Sequence, residues 1–404
     1  MEKKKTQWIL PRHAVIRDIA FVLLKPYCAW RYGIRAERFK EQGSRAYLIL
    51  LNHQTPFDQF FVGISFRGPV YYLATEDIFS NGWVSSLIRW LVAPISIRKQ
   101  TTDIAAVRNC IRVAREGGTI AIAPEGNRTY SGKTEHMGDS IAALAKKLKL
   151  PIALYRIEGG YGVQPRWSDV IRKGKMRSYV SQVIEPEEYA GMSNAELFAR
   201  IQEGLYVNEG VADASFKSDK RAEYLERVVY VCPFCGLSEY ESHGNEAACK
   251  KCGRKVHYGE DKRLTGVGYD FPFSFMTEWY DYQNEFVCGL NVLDHCREPL
   301  FRDRAKLYEV IVNKHKELLN KDISMSLYGD RIVLNEGTGQ ERVLPFAKVT
   351  AAAVLGRNKL NIYYEEHVYQ FKGGKRFNAL KYVNLYFRYK NITRGDENGK
   401  FLGL

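Results

Sequence analysis

The sequence has no apolar run near its amino end that is long enough to cross a membrane. Residues 19–24 are all apolar, but Lys25 and Pro26 follow directly, and a spanning helix needs about 20 apolar residues. A clear small-x-small cleavage site is also missing behind the lysine-rich start, which argues against a secretory signal peptide. We therefore expect residues 1–40 to form an amphipathic segment that lies on a membrane, packs on the following domain, or does both.

A disulfide framework is missing as well. Four of the eight cysteines share no spacing, namely Cys28, Cys110, Cys288 and Cys296. The others form two Cys-x-x-Cys pairs separated by thirteen residues, namely Cys232, Cys235, Cys249 and Cys252. Such pairs indicate metal binding in a reducing compartment, and four thiolates can hold zinc tetrahedrally. We predict a closed structural zinc site with His243 and His257 outside the ligand set, and redox chemistry at the first pair is the alternative.

Internal repeats and low-complexity segments are absent too, and 45% of the 404 residues are hydrophobic. This composition excludes a disordered chain and predicts two or three domains. Lys and Arg number 60 against 46 Asp and Glu, which gives a net charge of +14. Residues 1–40 alone carry ten basic and three acidic residues. The positive charge favours anionic partners such as phospholipid surfaces, acidic carrier molecules or nucleic acid.

Residues 46–185 alternate short β-rich runs with helix-length segments, which is typical of a mostly parallel sheet covered by helices. Strands are predicted at 47–51, 70–74, 95–98, 119–123, 152–157 and 177–184. Helices are predicted at 57–66, 84–92, 104–116 and 140–148. The expected fold class of this half is therefore α/β.

The rest of the chain divides at a polar, charged segment, residues 210–227, which we interpret as a linker. It separates an α/β domain, residues 41–209, from a zinc ribbon at 228–260. Residues 261–404 are predicted to form a small α+β or β-barrel-like domain, similar to a pleckstrin-homology domain. Its predicted elements are helices at 279–290 and 307–319 and short strands over 323–390.

His53 and Asp58 form an HX4D pattern directly behind an apolar strand, at the edge where open α/β sheets bind their ligands. Thr55 is predicted to cap the next helix and Pro56 to be its first residue, which brings the Asp58 carboxylate back toward His53. A histidine held by a carboxylate at one nitrogen can take a hydroxyl proton at the other. The alternative is that Asp58 only caps a helix.

Two further strand ends carry arginine. Arg98 ends the predicted strand at 95–98, and Pro124-Glu125-Gly126-Asn127-Arg128 follows the strand at 119–123. Gly126 permits a tight turn, Arg128 offers a planar fork for phosphate, and Glu125 can orient an arginine. The alternative is that Arg98 and Arg128 are surface residues that form ion pairs.

Together with the proline-led strand at 151–154, these segments resemble the four ordered blocks of the glycerolipid acyltransferase family over residues 40–190. The resemblance implies transfer of an acyl group from a thioester of coenzyme A or acyl carrier protein to the hydroxyl of a glycerol phosphate lipid. It implies that His53 is the general base, that Asp58 orients it, and that Arg98, Glu125, Gly126 and Arg128 shape the phosphate site. Thr55, Ala123 and Asn127 depart from the usual pattern of the family. These departures leave the His53–Asp58 pair intact and bear on the identity of the acceptor.

The expected activity is that of a 1-acylglycerol-3-phosphate O-acyltransferase, which makes phosphatidate from lysophosphatidate. The alternatives are another lysophospholipid acceptor, or a zinc-ribbon binding module as the principal function. The expected location is the cytoplasmic side of a membrane, where the protein is peripheral on an anionic surface. Nucleic acid is not expected as a partner, because basic and aromatic residues alternate little around the ribbon.

Overall fold

The computed structural model describes residues 7–80, 82–97, 103–212, 214–311, 314–396 and 398–403. Its contacts divide the chain into two compact units. The first unit comprises residues 1–166 and 171–209, and the second comprises residues 167–170 and 210–404. The two units differ in architecture.

The first unit is built from short strands and longer helices. Its strands are β1 (Ile34–Ala36), β2 (Leu48–Leu51), β3 (Val70–Thr75), β4 (Ile95–Ile97), β5 (Thr119–Ile122), β6 (Ile152–Glu158) and β7 (Met176–Ile184). Its helices are α1 (Pro11–Tyr32), α2 (Asp58–Ser65), α3 (Trp83–Val92), α4 (Ile104–Arg115), α5 (Ser140–Leu148), α6 (Gly160–Val163), α7 (Pro186–Ala190) and α8 (Asn194–Leu205).

The strands of the first unit form one sheet in the order β1-β7-β6-β2-β5-β3-β4. Every neighbouring pair is parallel except β6 and β7. β2 is buried along its whole length and pairs with both β5 and β6, so the loop behind it leaves from the middle of the sheet. The predicted α/β class with a mainly parallel sheet is confirmed.

Helices cover the sheet because its strands are apolar on both faces. On one face, Leu50 and Leu154 share an apolar core with Val113 of α4, Ala145 of α5 and Ile201 of α8. On the other face, the hydroxyl of Ser65 in α2 lies 2.8 Å from that of Tyr155 in β6. The sheet is therefore held from both sides, which fixes the positions of its strand ends.

Helix α1 begins at Pro11, a residue that suits the first helical position, and continues past Pro26 to Tyr32. Gly33 ends it with a φ of 61°, and a Cβ atom there would lie 2.1 Å from the carbonyl oxygen of Gly174. Only glycine fits such a close approach. Among the described residues, no helix has the length and apolar character that crossing a membrane requires.

The second unit contains thirteen strands and two α-helices in its described part. The strands of its first part are β8 (Val231–Cys232), β9 (Gly236–Leu237), β10 (Tyr240–His243), β11 (Glu246–Cys249), β12 (Lys255–Tyr258) and β13 (Leu264–Gly266). Helix α9 (Met276–Gly289) follows. The later elements are β14 (Phe301–Ile311), β15 (His315–Leu327), β16 (Arg331–Leu334), β17 (Arg342–Pro345), β18 (Val349–Leu355), β19 (Lys359–Tyr364), β20 (His367–Gly373) and α10 (Leu380–Thr393).

These strands form three sheets. β8 and β9 pair with each other, β10 to β13 form a four-stranded sheet, and β14 to β20 form a seven-stranded sheet in the order β17-β16-β15-β14-β20-β19-β18. All pairs in the large sheet are antiparallel. The Tyr386 hydroxyl of α10 donates to the carbonyl of Val349 at 2.7 Å, which attaches the helix to β18. The pleckstrin-homology-like identity of this part stays a prediction.

The helix predicted at 307–319 is wrong. That stretch contributes to β14 and β15, which form an antiparallel hairpin, and β14 also pairs with β20. Leu307 is buried, whereas Leu318 and Leu319 are exposed, so the leucines do not share one helical face. Strand pairing over a long sequence distance overrode the local helical spacing.

Candidate functional site

His53 and Asp58 meet at the carboxyl end of β2. The His53 Nδ1 atom lies 2.7 Å from the Asp58 Oδ2 atom. The Asp58 side chain is almost fully buried, whereas 27% of the His53 side chain is exposed. A carboxylate accepts hydrogen bonds, so the neutral imidazole carries its proton on Nδ1 and has a lone pair on Nε2.

The Asp58 carboxylate also organises the loop that carries His53. It accepts hydrogen bonds from the backbone N–H groups of Gln54 at 2.7 Å and Thr55 at 3.0 Å, and from the Thr55 hydroxyl at 2.6 Å. The helix begins at Asp58 itself, with Phe57 before it and no side-chain cap. The predicted helix start at Pro56 is therefore wrong, since the helix begins later, at Asp58. The predicted return of the Asp58 carboxylate toward the loop is present, and the Thr55 hydroxyl accepts from the N–H of Phe57 at 3.1 Å.

The backbone of His53 is held by the segment that follows β5. Its N–H donates to one oxygen of Glu125 at 2.8 Å, and its carbonyl accepts from the N–H of Thr129 at 3.0 Å. The other Glu125 oxygen accepts from the N–H of Glu135 at 2.9 Å. Glu125 thus binds backbone groups, and not the arginine that the sequence suggested. Burial raises the pKa of Glu125 to about 8, although both hydrogen bonds oppose this change.

Gly126 and Arg128 lie on the same turn as Glu125. Gly126 has a φ of 65° and donates to the carbonyl of Ala123 at 2.9 Å, a conformation that favours glycine. The Arg128 side chain is half-buried. Arg98 lies outside the described residues.

The surroundings of His53 favour its neutral form. Burial lowers the pKa of His53, the hydrogen bond and charge of Asp58 act in the opposite direction, and the charges of Arg128 and Arg166 lower it further. A neutral histidine is the form that can accept a proton. The arrangement therefore favours a neutral imidazole with a lone pair on Nε2.

Sequence reasoning missed three residues that support this site. Asn52 bonds both the N–H and the carbonyl of Ile157 at 2.8 Å, which ties the end of β2 to β6. The Gln54 side-chain oxygen accepts from the N–H of Tyr161 at 3.1 Å. Arg166 is buried and bonds the turn at 127–128. Asn52 and Gln54 flank His53 and are conspicuous there, but no local signal marks Arg166.

The four predicted zinc ligands come together in the second unit. Their sulfur atoms all lie within 4.8 Å of one another, with 3.8 Å between Cys232 and Cys252 and 3.5 Å between Cys235 and Cys249. Zinc–sulfur bonds of about 2.3 Å in a tetrahedron place neighbouring sulfurs about 3.8 Å apart. The four thiols therefore fit one zinc ion, and the cluster includes neither His243 nor His257.

The thiols differ in their acidity. Burial opposes ionisation of Cys252, but hydrogen bonds from the Arg254 backbone and from neighbouring thiols outweigh it and lower the pKa of Cys252 to about 6. Burial and the neighbouring thiols raise the pKa of Cys235. Thiolates this close together would repel one another. A bound cation would offset that repulsion and favour the thiolate form of every ligand.

Known proteins support the assignment of the first unit. Residues 34–157 match the family model described as Acyltransferase, and this range contains His53, Asp58 and the turn at 124–128. The match supports the predicted resemblance over this range, and the first unit carries an acyltransferase domain. The match does not reach the second unit.

The chain is also similar to the crystal structure of the 1-acyl-sn-glycerophosphate (LPA) acyltransferase PlsC from Thermotoga maritima. The identity is 20% and the TM-score is 0.41, over 48% of this chain and 78% of that chain. No curated protein matches the chain.

Proposed function

We propose that the protein transfers a fatty acyl group from an acyl thioester to the free hydroxyl of lysophosphatidate and so produces phosphatidate. The observation that carries the proposal is the His53–Asp58 pair, with 2.7 Å between Nδ1 and Oδ2 at the end of the central strand. The donor is a thioester of coenzyme A or acyl carrier protein. The Thermotoga maritima protein is a 1-acyl-sn-glycerophosphate acyltransferase, and the same substrate class is proposed for this chain.

The reaction uses His53 twice. Its Nε2 atom accepts the hydroxyl proton while the hydroxyl oxygen attacks the thioester carbonyl carbon. The resulting tetrahedral intermediate collapses, the carbon–sulfur bond breaks, and the leaving thiolate takes the proton back from the imidazolium. Asp58 holds the ring at Nδ1 and stabilises its positive charge between these steps.

Arg98 and Arg128 are proposed to bind the acceptor phosphate, with Glu125 and Gly126 shaping the turn. A guanidinium can pair two phosphate oxygens, whereas a lysine offers a point charge. A site built for a phosphate rejects an acceptor without one more strongly than an apolar pocket rejects a shorter chain. Lysophosphatidate is therefore expected to react much faster than an uncharged monoacylglycerol.

Acceptor selectivity tests this assignment. Arg128→Ala and Arg98→Ala should each lower kcat/KM for lysophosphatidate much more than for monoacylglycerol, in assays with a labelled acyl thioester. Arg115→Ala is a suitable control, because Arg115 is exposed on α4, and it should retain the parent preference. Unchanged selectivity in both arginine variants would mean that the phosphate headgroup binds elsewhere. A parent protein that prefers another lysophospholipid would contradict lysophosphatidate as the acceptor.

An anionic membrane surface is the proposed partner of α1 and α3. Val22, Leu23 and Trp30 of α1 are 69%, 65% and 79% exposed, and Trp83 of α3 is 77% exposed. The two helices contact each other, since the Arg12 side chain donates to the carbonyl of Trp90 at 3.1 Å. Apolar side chains of this size beside basic residues can insert below lipid headgroups. The proposed position is peripheral, on the cytoplasmic face.

Vesicle flotation tests the membrane proposal. Binding should require anionic lipid and weaken as salt rises, because the basic side chains contribute by charge. The double substitution Val22→Ser and Leu23→Ser should release the protein at low salt, whereas Leu293→Ser, at an exposed leucine of the second unit, should not. Binding that is independent of lipid charge, of salt and of the Val22→Ser and Leu23→Ser substitutions would contradict the proposal.

The remaining assignments are also proposals. Residues 228–260 are proposed to form a zinc ribbon with one structural zinc ion held by the four cysteines, because their sulfur spacing suits a tetrahedron. The ribbon stands between a linker at 210–227 and a third domain at 261–404. The acyltransferase domain extends over 41–209, behind the membrane segment at 1–40.

A further inference from the structure

Arg166 is a buried cation on the irregular segment that follows α6. Only 3% of its surface is exposed, and arginine is rarely buried to this extent without partners. Neither the sequence blocks nor the proposed chemistry gives it a role.

Three partners of Arg166 lie on the turn after β5. One terminal nitrogen donates to the carbonyl of Arg128 at 3.0 Å, and the other lies 3.3 Å from the side-chain oxygen of Asn127. The guanidinium also stacks over the ring of Tyr130, 4.1 Å from its centre. A planar guanidinium that donates to two acceptors and stacks on one aromatic ring fixes both the position and the orientation of the turn.

The turn after β5 is also hydrogen-bonded to the backbone of His53. The N–H of Thr129 donates to the His53 carbonyl at 3.0 Å, and the Glu125 carboxyl accepts from the His53 N–H at 2.8 Å. A displacement of the turn would therefore displace His53. Misplacing a reacting group by about 1 Å can slow a reaction on the order of 100-fold.

Charge provides a second connection between Arg166 and His53. The charged groups that act on the imidazole are Asp58, which favours its protonation, and Arg128 and Arg166, which oppose it. Glu125 bonds the His53 backbone, but burial raises its pKa to about 8, so at neutral pH its carboxyl is mainly uncharged.

We propose that Arg166 is a positioning residue for acyl transfer: its fork holds the turn against His53, and its positive charge disfavours a second positive charge on the imidazole. The positioning part rests on the proposed function of His53 as a base. The charge part can be measured without any turnover.

Two substitutions separate the two actions. Arg166→Lys retains the charge but loses the fork, whereas Arg166→Gln loses the charge and retains a hydrogen-bonding group. Arg172 provides the matched control, because it is another buried arginine of the first unit that donates to a backbone carbonyl, that of Gly162 at 3.2 Å. Arg172→Lys and Arg172→Gln report the general effect of such changes on folding.

NMR titration of His53, assigned with the His53→Gln variant, gives the first readout. Arg166→Gln should raise the pKa of His53 and move the acidic limb of the rate profile to higher pH, while Arg166→Lys and both Arg172 variants should leave them unchanged. Arg166→Lys should still lower kcat roughly 10- to 100-fold with a smaller change in KM. An unchanged His53 titration in Arg166→Gln, or full kcat in Arg166→Lys, would overturn the proposal.

Asn127→Ala tests the fork if the Arg166 variants do not fold, because it removes one acceptor at a half-exposed position and leaves the buried cation in place. It should lower kcat with the His53 pKa unchanged, and a wild-type kcat would count against the fork. A wild-type protein that acylates no lysophospholipid would contradict the proposed function, while the titration would still decide whether Arg166 acts on His53.

Discussion

The two candidate sites are assembled in different ways. At His53, hydrogen bonds within the protein hold the ring and its loop. The Asp58 carboxylate accepts from the His53 ring, from two backbone N–H groups and from a hydroxyl. At the cysteine cluster, four like groups lie within 4.8 Å of one another, and as thiolates they would repel. The first site is held by internal pairing, whereas the second is proposed to depend on a bound cation. Their responses to perturbation should therefore differ.

Removal of metal should have the largest effect. Structural zinc contributes roughly 10–16 kcal/mol in small zinc domains, so chelation should unfold residues 228–260 and expose their amides to hydrogen exchange. The amides of β2 and β5 should retain their protection. Metal analysis should find about one zinc per chain in the untreated protein.

Single cysteine substitutions provide the controls for the metal experiment. Cys249→Ser should lose the metal, whereas Cys296→Ser, at a cysteine outside the cluster, should keep it. Protein without zinc and with a disulfide between Cys232 and Cys235 would support the redox alternative instead.

Substitution of His53 should have the next largest effect, and on a different property. His53→Ala should lower kcat on the order of 10²- to 10⁴-fold, because general-base catalysis supplies a factor of that size, with zinc content and thermal stability unchanged. His136→Ala, at an exposed histidine of the same unit, should have normal turnover. Normal turnover in the His53 variant would exclude it as the base.

Asp58→Asn separates an effect on stability from an effect on activity within the candidate site. Replacing one carboxylate oxygen by an NH₂ group leaves a buried donor of the loop without an acceptor, which costs roughly 1–3 kcal/mol. This variant should therefore lose thermal stability as well as activity, whereas His53→Ala should lose activity alone. Equal melting temperatures for the two variants would show that the loop does not depend on Asp58.

The effect of Glu125→Gln on stability should vary with pH. The unfolded chain loses this proton near the ordinary pKa of 4.5, but the folded protein keeps it until about pH 8. The carboxyl therefore stabilises the fold most below pH 4.5, and this stability is lost as pH rises to about 8. The melting temperature of the wild type relative to Glu125→Gln should fall between pH 5 and pH 8.

The exposed Glu203 of α8 provides the control for this experiment. The difference in melting temperature between the wild type and Glu203→Gln should stay constant over the same pH range. A constant difference for Glu125→Gln as well would show that its carboxyl ionises at the same pH in the folded and unfolded chain.

Much of the first unit could be predicted from sequence. Apolar strands such as Leu48–Leu51 are flanked by turn residues, and the periodicity of residues 104–116 is helical, so local pattern and final structure agree there. His53 and Asp58 were identifiable as candidates because general-base chemistry requires particular residue types at a fixed spacing. The five-part division of the chain into domains stays a prediction.

The features that sequence reasoning missed depend on contacts between distant residues. Residues 307–319 have helical spacing, yet β14 is paired with β20 over 60 residues later, and no local rule contains that pairing. Arg166 bonds a turn 38 residues before it, and its neighbours in sequence give no sign of this. The predicted start of α2 was wrong because helix ends are the least certain part of a helix assignment, although the Asp58 contacts to the preceding loop were predicted.

The central position of β2 also has a consequence for the synthesis of the chain. Leu48 pairs with Ile120 on one side and with Ile152 on the other. At about 5–20 residues per second on the ribosome, roughly 5 to 20 s pass before the second partner is made. During that interval the apolar strand lacks at least one of its neighbours, and an unpaired apolar strand makes any product that ends before β6 prone to aggregation.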